Sequence, residues 1–230
     1  MFETRNRKAQ DLRLRIRIER DAFVRMTPYW KRLGFPFEDL VPSLGTAIGS
    51  SSDRPAALAE LIGIIVNDGL RMPTVRLEEL RFGSGTPYHT VLEPEPAPGL
   101  RVMEGAVARA VREVLTGVVE KGTARRLAGA FANPNGTPIT AGGKTGSGDN
   151  RFQTVSRGGQ VVSSRVLNRT ATFVFYIGDR YFGVITAFVP GQQAEEYEFT
   201  SALPVAILRL LGPSISARFS TPRLQPQIVG

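Results

Sequence analysis

The sequence predicts an α+β domain, an antiparallel sheet flanked by helices, on three observations. Residues 170–177 and 181–189 are β-branched and aromatic runs joined by Gly178-Asp179-Arg180, the pattern of a hairpin. Two segments, 55–68 and 102–121, carry apolar residues at helical spacing. The short apolar run Pro138-Ile139-Thr140-Ala141 leads as a strand into Gly142-Gly143-Lys144-Thr145-Gly146-Ser147-Gly148-Asp149. The hairpin runs are almost continuously apolar, so both faces of the sheet are expected to be covered.

Taken in order, residues 1–20 are highly charged. Leu12-Arg13-Leu14-Arg15-Ile16-Arg17-Ile18 alternates with strand periodicity, while its charge equally fits a disordered or non-native basic arm. A helix is expected from Asp21 as cap, with Phe23, Met26, Trp30 and Leu33 inward, ending before Gly34. Asp53-Arg54-Pro55 opens the next, the proline sitting where its missing N–H costs nothing. Leu58, Leu61, Ile62, Ile65 and Val66 form its inward stripe, and Gly69 ends it. Strand-like pieces follow at 74–77 and 90–92, then the exposed proline-rich connection Glu93-Pro94-Glu95-Pro96-Ala97-Pro98.

In the 102–121 helix the inward residues are Val107, Ala110, Val111, Val114, Leu115 and Val118. Residues 124–128 make a short turn, and Asn133-Pro134-Asn135-Gly136 turns the chain into the Lys144 strand. Residues 151–168 are polar and read as an excursion or hairpin. Residues 199–211 form the last helix, with Pro204 in its first turn and Val205, Leu208 and Leu211 inward. The organisation expected is a 1–20 arm, a single domain over 21–213, and a disordered tail over 214–230. At 230 residues, 42% hydrophobic and 22% charged, one core is what the chain can bury.

Composition excludes several functions. With no cysteine there is no disulfide framework and no thiolate site, and a single histidine rules out a multi-histidine metal centre. His89 lies in what reads as a surface turn. The net charge of +8 resides mostly in residues 1–32, which hold ten Lys/Arg against four acids. The remaining 19 basic and 17 acidic residues leave only +2, so no basic surface for specific nucleic-acid binding is implied. No apolar run is expected to span a bilayer, and the N-terminus has no signal-peptide pattern.

The chemistry centres on Lys144-Thr145-Gly146-Ser147. Lys144 offers a cation, and Thr145 and Ser147 offer hydroxyls on one strand face. The glycines allow a second chain to approach, so a carboxylate lying along the strand would be met by both. A phosphate-binding loop would need glycine where Pro138 stands and a helix directly after Thr145. A glycine-rich turn with an exposed lysine is the plain alternative.

Lys144-Thr145-Gly146 resembles the Lys-Thr-Gly box of penicillin-binding proteins and serine β-lactamases. The segments 58–69, 111–124 and 173–189 resemble, in the same order, those around that box in the transpeptidase domain of bifunctional peptidoglycan synthases. The resemblance covers residues 22–213 and implies a partial transpeptidase (β-lactamase-like) fold. It implies a D,D-transpeptidase acting by serine acyl-transfer on the D-Ala-D-Ala end of a peptidoglycan stem peptide, without a cofactor, and sensitive to β-lactams. Its place would be the periplasm or the outer face of the cytoplasmic membrane, held there only by an N-terminal anchor missing from this sequence. By position, Lys144, Thr145 and Ser147 would hold the substrate carboxylate, and Gly146 would leave room for it. The Ser147 N–H would be half of an oxyanion hole, with Asp149 and Asn150 on the rim or in a plain turn.

The sequence departs from the family in its nucleophile. No serine has lysine three residues on, and none has asparagine two residues on. Where the Ser-x-Asn box is expected, the sequence has Ile18 and Arg20. The chain therefore begins at or replaces that box and lacks Ser-x-x-Lys, so residues 1–230 alone are expected to be inactive. A non-catalytic peptide-binding or interaction module derived from that fold is the alternative.

Overall fold

The computed structural model describes residues 6–49, 51, 53–95, 97–156 and 160–220. The first helix, α1 (Arg7–Arg32), runs from an Asn6 cap straight through the segment expected as a strand or loose arm. This corrects the reading of residues 12–18. Leu, Arg and Glu are good helix formers, and period-2 alternation becomes a strand only where a neighbouring strand pairs with it. Leu12, Leu14, Ile16 and Ile18 are all exposed, on different sides of the helix. Asp21 is consequently interior, not a cap, and α1 passes unbroken across the boundary expected after residue 20. Only Phe23 and Thr27 are buried, whereas Met26 and Trp30 stay largely outside. The Thr27 hydroxyl donates to the Phe23 carbonyl at 3.0 Å and accepts from the Leu40 N–H at 3.4 Å, tying the 35–49 loop to the helix.

Helix α2 (Pro55–Val66) begins with proline at its first position, as the sequence predicts. Gly69 takes φ +87°, and its N–H reaches back to the Ile64 carbonyl to close the helix end. Four short strands follow: β1 (Leu70–Arg71) pairs with β4 (Leu100–Arg101), and β2 (Leu80–Phe82) with β3 (Thr90–Leu92). Residues 74–77, expected as a strand, are not one, and His89 is exposed after the 83–88 turns. Helix α3 (Gly105–Glu120) buries Ala108, Leu115 and Val119. Val107 and Val114, expected inward, face solvent, because valines surround this helix and only tertiary contact selects the buried side.

The central sheet is antiparallel in the order β5 (Ala141–Val155), β6 (Val161–Ile177), β7 (Tyr181–Pro190). Of the excursion or hairpin expected over 151–168, residues 151–155 pair antiparallel with 161–166, as β5 and β6 run on together beyond a register shift at Asn150/Arg151. Asp149 and Asn150 lie within β5, which corrects the turn reading. Asp149 is held by Arg169 at 3.8 Å and Arg151 at 3.6 Å, and the Asn150 amide donates to Asn168 Oδ1 at 3.0 Å.

Alternation along β6 divides the core in two. Val174 and Tyr176 pack with Ile62, Ile65, Val66 and Leu115 of α2 and α3. Phe173, Phe175 and Ile177 face the other way, against Val205 and Leu208 of α4 (Ala202–Ser216). Both faces are therefore covered, in an α+β fold with helices on either side of an antiparallel sheet. Helix α4 continues past the expected end at 211. Leu211 is exposed and Gly212, which approaches the Ala130 carbonyl, is buried instead. A 3-10 turn carries the chain to Ser220, and Phe219 packs on Tyr181 with ring centroids 4.7 Å apart. Residues 214–220 are thus ordered, and the rest of the expected tail lies outside the described residues.

Contrary to expectation, one helix among the described residues, residues 202–219, is long and apolar enough to cross a bilayer by length and composition. Its inner side packs on the sheet as that of a core helix does.

Glycine governs how closely β5 approaches β6. A Cβ on Gly143 would lie 2.3 Å from the Val174 carbonyl oxygen and 2.7 Å from the Phe173 ring. Backbone cannot yield as a side-chain tip can. Gly143→Ala is expected to destabilise the fold by about 1–3 kcal/mol, the range of overpacked cores. A urea midpoint matching the parent chain would show that the strands separate without cost.

Candidate functional site

Strand β5 is the edge of its sheet, with β6 on one side and no paired strand on the other among the described residues. Lys144-Thr145-Gly146-Ser147 lie consecutively on it, paired with Val174, Phe173, Thr172 and Ala171 of β6. Successive side chains alternate, so the four residues divide between the sheet faces. Gly142 points at Tyr176, towards α2 and α3, and Gly143 points at Phe173, towards α4. Lys144, Gly146 and Gly148 follow Gly142, whereas Thr145 and Ser147 follow Gly143.

Both hydroxyls are engaged. Thr145 is 8% exposed, and its Oγ1 lies 2.7 Å from Thr123 Oγ1, in the loop between α3 and the 3-10 turn Arg125–Leu127. Ser147 Oγ accepts the Ser201 N–H at 2.7 Å, joining β5 to the start of α4. The Lys144 ammonium donates to the Thr145 carbonyl at 2.6 Å and is the cation standing on the opposite face. A Cβ on Gly146 or Gly148 would meet nothing within 4 Å, so the α2 face of the strand is open at both. The two hydroxyls do share one face, but both are bonded within the fold and the cation stands across the strand, which corrects the expectation that one carboxylate meets all three together.

Two hollows flank this strand. On the α2 face a cleft of about 600 Å³ is lined by Gly146, Gly148, Asp149, Thr172, Leu58 and Asp53. Burial pushes the Asp53 carboxyl above the usual carboxylate range, more than the hydrogen bond from the Arg54 N–H lowers it. The Asp53 carboxyl makes this wall a poor one for a further anion. On the α4 face a groove of about 410 Å³ is lined by Gly122, Thr123, Arg125, Arg126, Ala202 and Val205. Its arginines were not singled out in the sequence, where Arg125 and Arg126 look like ordinary solvated charges. Among the described residues no three His, Cys, Asp or Glu side chains cluster as metal ligands would.

No protein-family model and no curated protein matches this sequence. Solved structures do match its fold. Penicillin-binding protein 1A from Haemophilus influenzae superposes with a TM-score of 0.55 at 16% identity, over 85% of this chain and 31% of that one. PBPA from Mycobacterium tuberculosis gives 0.51 at 16% identity, over 84% of this chain and 45% of that one. The D,D-transpeptidase domain of a peptidoglycan glycosyltransferase from Eggerthella lenta gives 0.48 at 16%, over 86% and 51%. The chain spans less than half of the first two, and its fold is part of the fold of the penicillin-binding protein transpeptidase domains.

Proposed function

We propose that this chain is the Lys-Thr-Gly portion of a penicillin-binding D,D-transpeptidase domain, serving peptidoglycan crosslinking at the periplasmic side of the cytoplasmic membrane. Its part is to hold the D-Ala-D-Ala end of a stem peptide against the open edge of β5. The observation that carries this is the Lys-Thr-Gly sequence lying on a sheet edge, with Gly146 and Gly148 facing empty space. An extended peptide can add there as a strand, its backbone hydrogen-bonded to β5 and its terminal carboxylate near the Lys144 charge. Thr123 and Ser201, by engaging Thr145 and Ser147, fix the strand that the peptide would read. Supporting this reading are the fold similarity and the ordered segments around the box.

The sequence has no Ser-x-x-Lys and no Ser-x-Asn, so residues 1–230 by themselves bind without turning over. A non-catalytic peptide-binding module built on the same strand is the second reading, and it predicts the same binding. Titration with a peptide ending in D-Ala-D-Ala tests what they share. Saturable binding is expected, weakened about 5- to 30-fold by Lys144→Ala, as for removal of one charge-assisted contact. Binding that ignores the substitution would remove Lys144 from the site.

A further inference from the structure

Four cations belong to the segment after α3 and to the start of β5: Lys121, Arg125, Arg126 and Lys144. None of them forms an ion pair among the described residues, although six ion pairs are found elsewhere in the same fold. Arg125 and Arg126 are both exposed, on a 3-10 turn braced from beneath by buried Leu127. They line the α4-face groove together with Thr123, whose hydroxyl is bonded to Thr145 of the Lys-Thr-Gly strand. The other wall is the start of α4, whose first turn holds no acid. The groove therefore presents two guanidinium groups and no carboxylate, beside the strand proposed to bind peptide. Guanidinium forks suit carboxylates, which they grip through two parallel hydrogen bonds.

We propose that this groove is a second carboxylate subsite, so that the peptide held on β5 carries an acidic side chain besides its terminal carboxylate. The inference rests on the reading of β5 as a peptide-binding strand. A peptide added along a sheet edge turns alternate side chains to the same face, so one of its side chains is directed to the α4 side. On the α2 side Asp53 lines the cleft and disfavours an acid there. The charge arrangement thus selects not only an acidic peptide but the face on which its acid lies.

The test compares N-acetyl-L-Glu-D-Ala-D-Ala with N-acetyl-L-Gln-D-Ala-D-Ala, which differ only in one charge, against the full 230-residue chain. The glutamate peptide is expected to bind about three- to ten-fold more tightly at low salt, with the margin shrinking as salt rises. Arg125→Gln/Arg126→Gln is expected to erase that margin while leaving the glutamine peptide's affinity unchanged, and Arg125→Lys/Arg126→Lys to keep part of it. If both peptides bind the parent chain equally, the subsite is overturned and the β5 reading stands. A margin that survives the glutamine pair also overturns it. If neither peptide binds, the β5 reading fails and the subsite with it.

Discussion

Incubation of residues 1–230 with a fluorescent penicillin is expected to leave no covalent band on a denaturing gel. A β-lactam is trapped only when a serine oxygen attacks its carbonyl, and that oxygen needs a base within hydrogen-bond reach. Ser147 is the serine on the candidate strand, and its oxygen already accepts the Ser201 N–H at 2.7 Å. Lys144 stands on the other face of β5, with its ammonium turned to the Thr145 carbonyl. The Thr145 hydroxyl is paired with Thr123, not with a base. Loss of a nucleophile–base unit lowers rates by roughly six powers of ten, far beyond what a well-formed carboxylate site restores. A labelled band that unlabelled penicillin blocks and Ser147→Ala removes would show that a nucleophile operates here after all.

Phe173→Ala is expected to remove about 3–5 kcal/mol of stability, a large share of the roughly 5–15 kcal/mol that holds a domain of ordinary size. Phe173 is fully buried on the α4 face of β6 and shares a core with Val119, Leu127, Phe131, Val205 and Leu208. It also stacks on Phe175, with ring centroids 6.0 Å apart. Truncation would leave a cavity where the sheet, α3 and α4 meet, and the elements around it, belonging to separate parts of the chain, cannot all move inward. Because Phe173 pairs with Thr145 in the β5–β6 register, the Lys-Thr-Gly strand should loosen with it. Urea unfolding of the variant gives the measurement. A loss below about 1 kcal/mol would mean that this face is not the core it is taken to be.

The amino-acid sequence by itself determined the features in which neighbouring residues decide the outcome. Pro55 fits the first turn of a helix, Gly178-Asp179-Arg180 joins two apolar runs, and residues 173–177 of β6 are apolar at every step because both faces of the sheet are covered there. The Lys-Thr-Gly stretch was legible as a strand on the same grounds, and the order of segments around it pointed to the fold. Tertiary structure decided whatever depends on which distant partner is present. The 12–18 alternation became helix because no strand lies beside it to pair with. The buried side of α3 was chosen by the sheet and by α2, not by its valines, which occur on several sides. Asp149 was drawn into β5 by pairing with β6 and is held there by Arg169, twenty residues further along. Thr145 and Ser147 share a face by local alternation alone, yet Thr123 and Ser201 engage their hydroxyls only because α3 and α4 converge there. That same convergence places Arg125 and Arg126 beside the Lys-Thr-Gly strand, since charge neighbourhoods arise where separate segments meet.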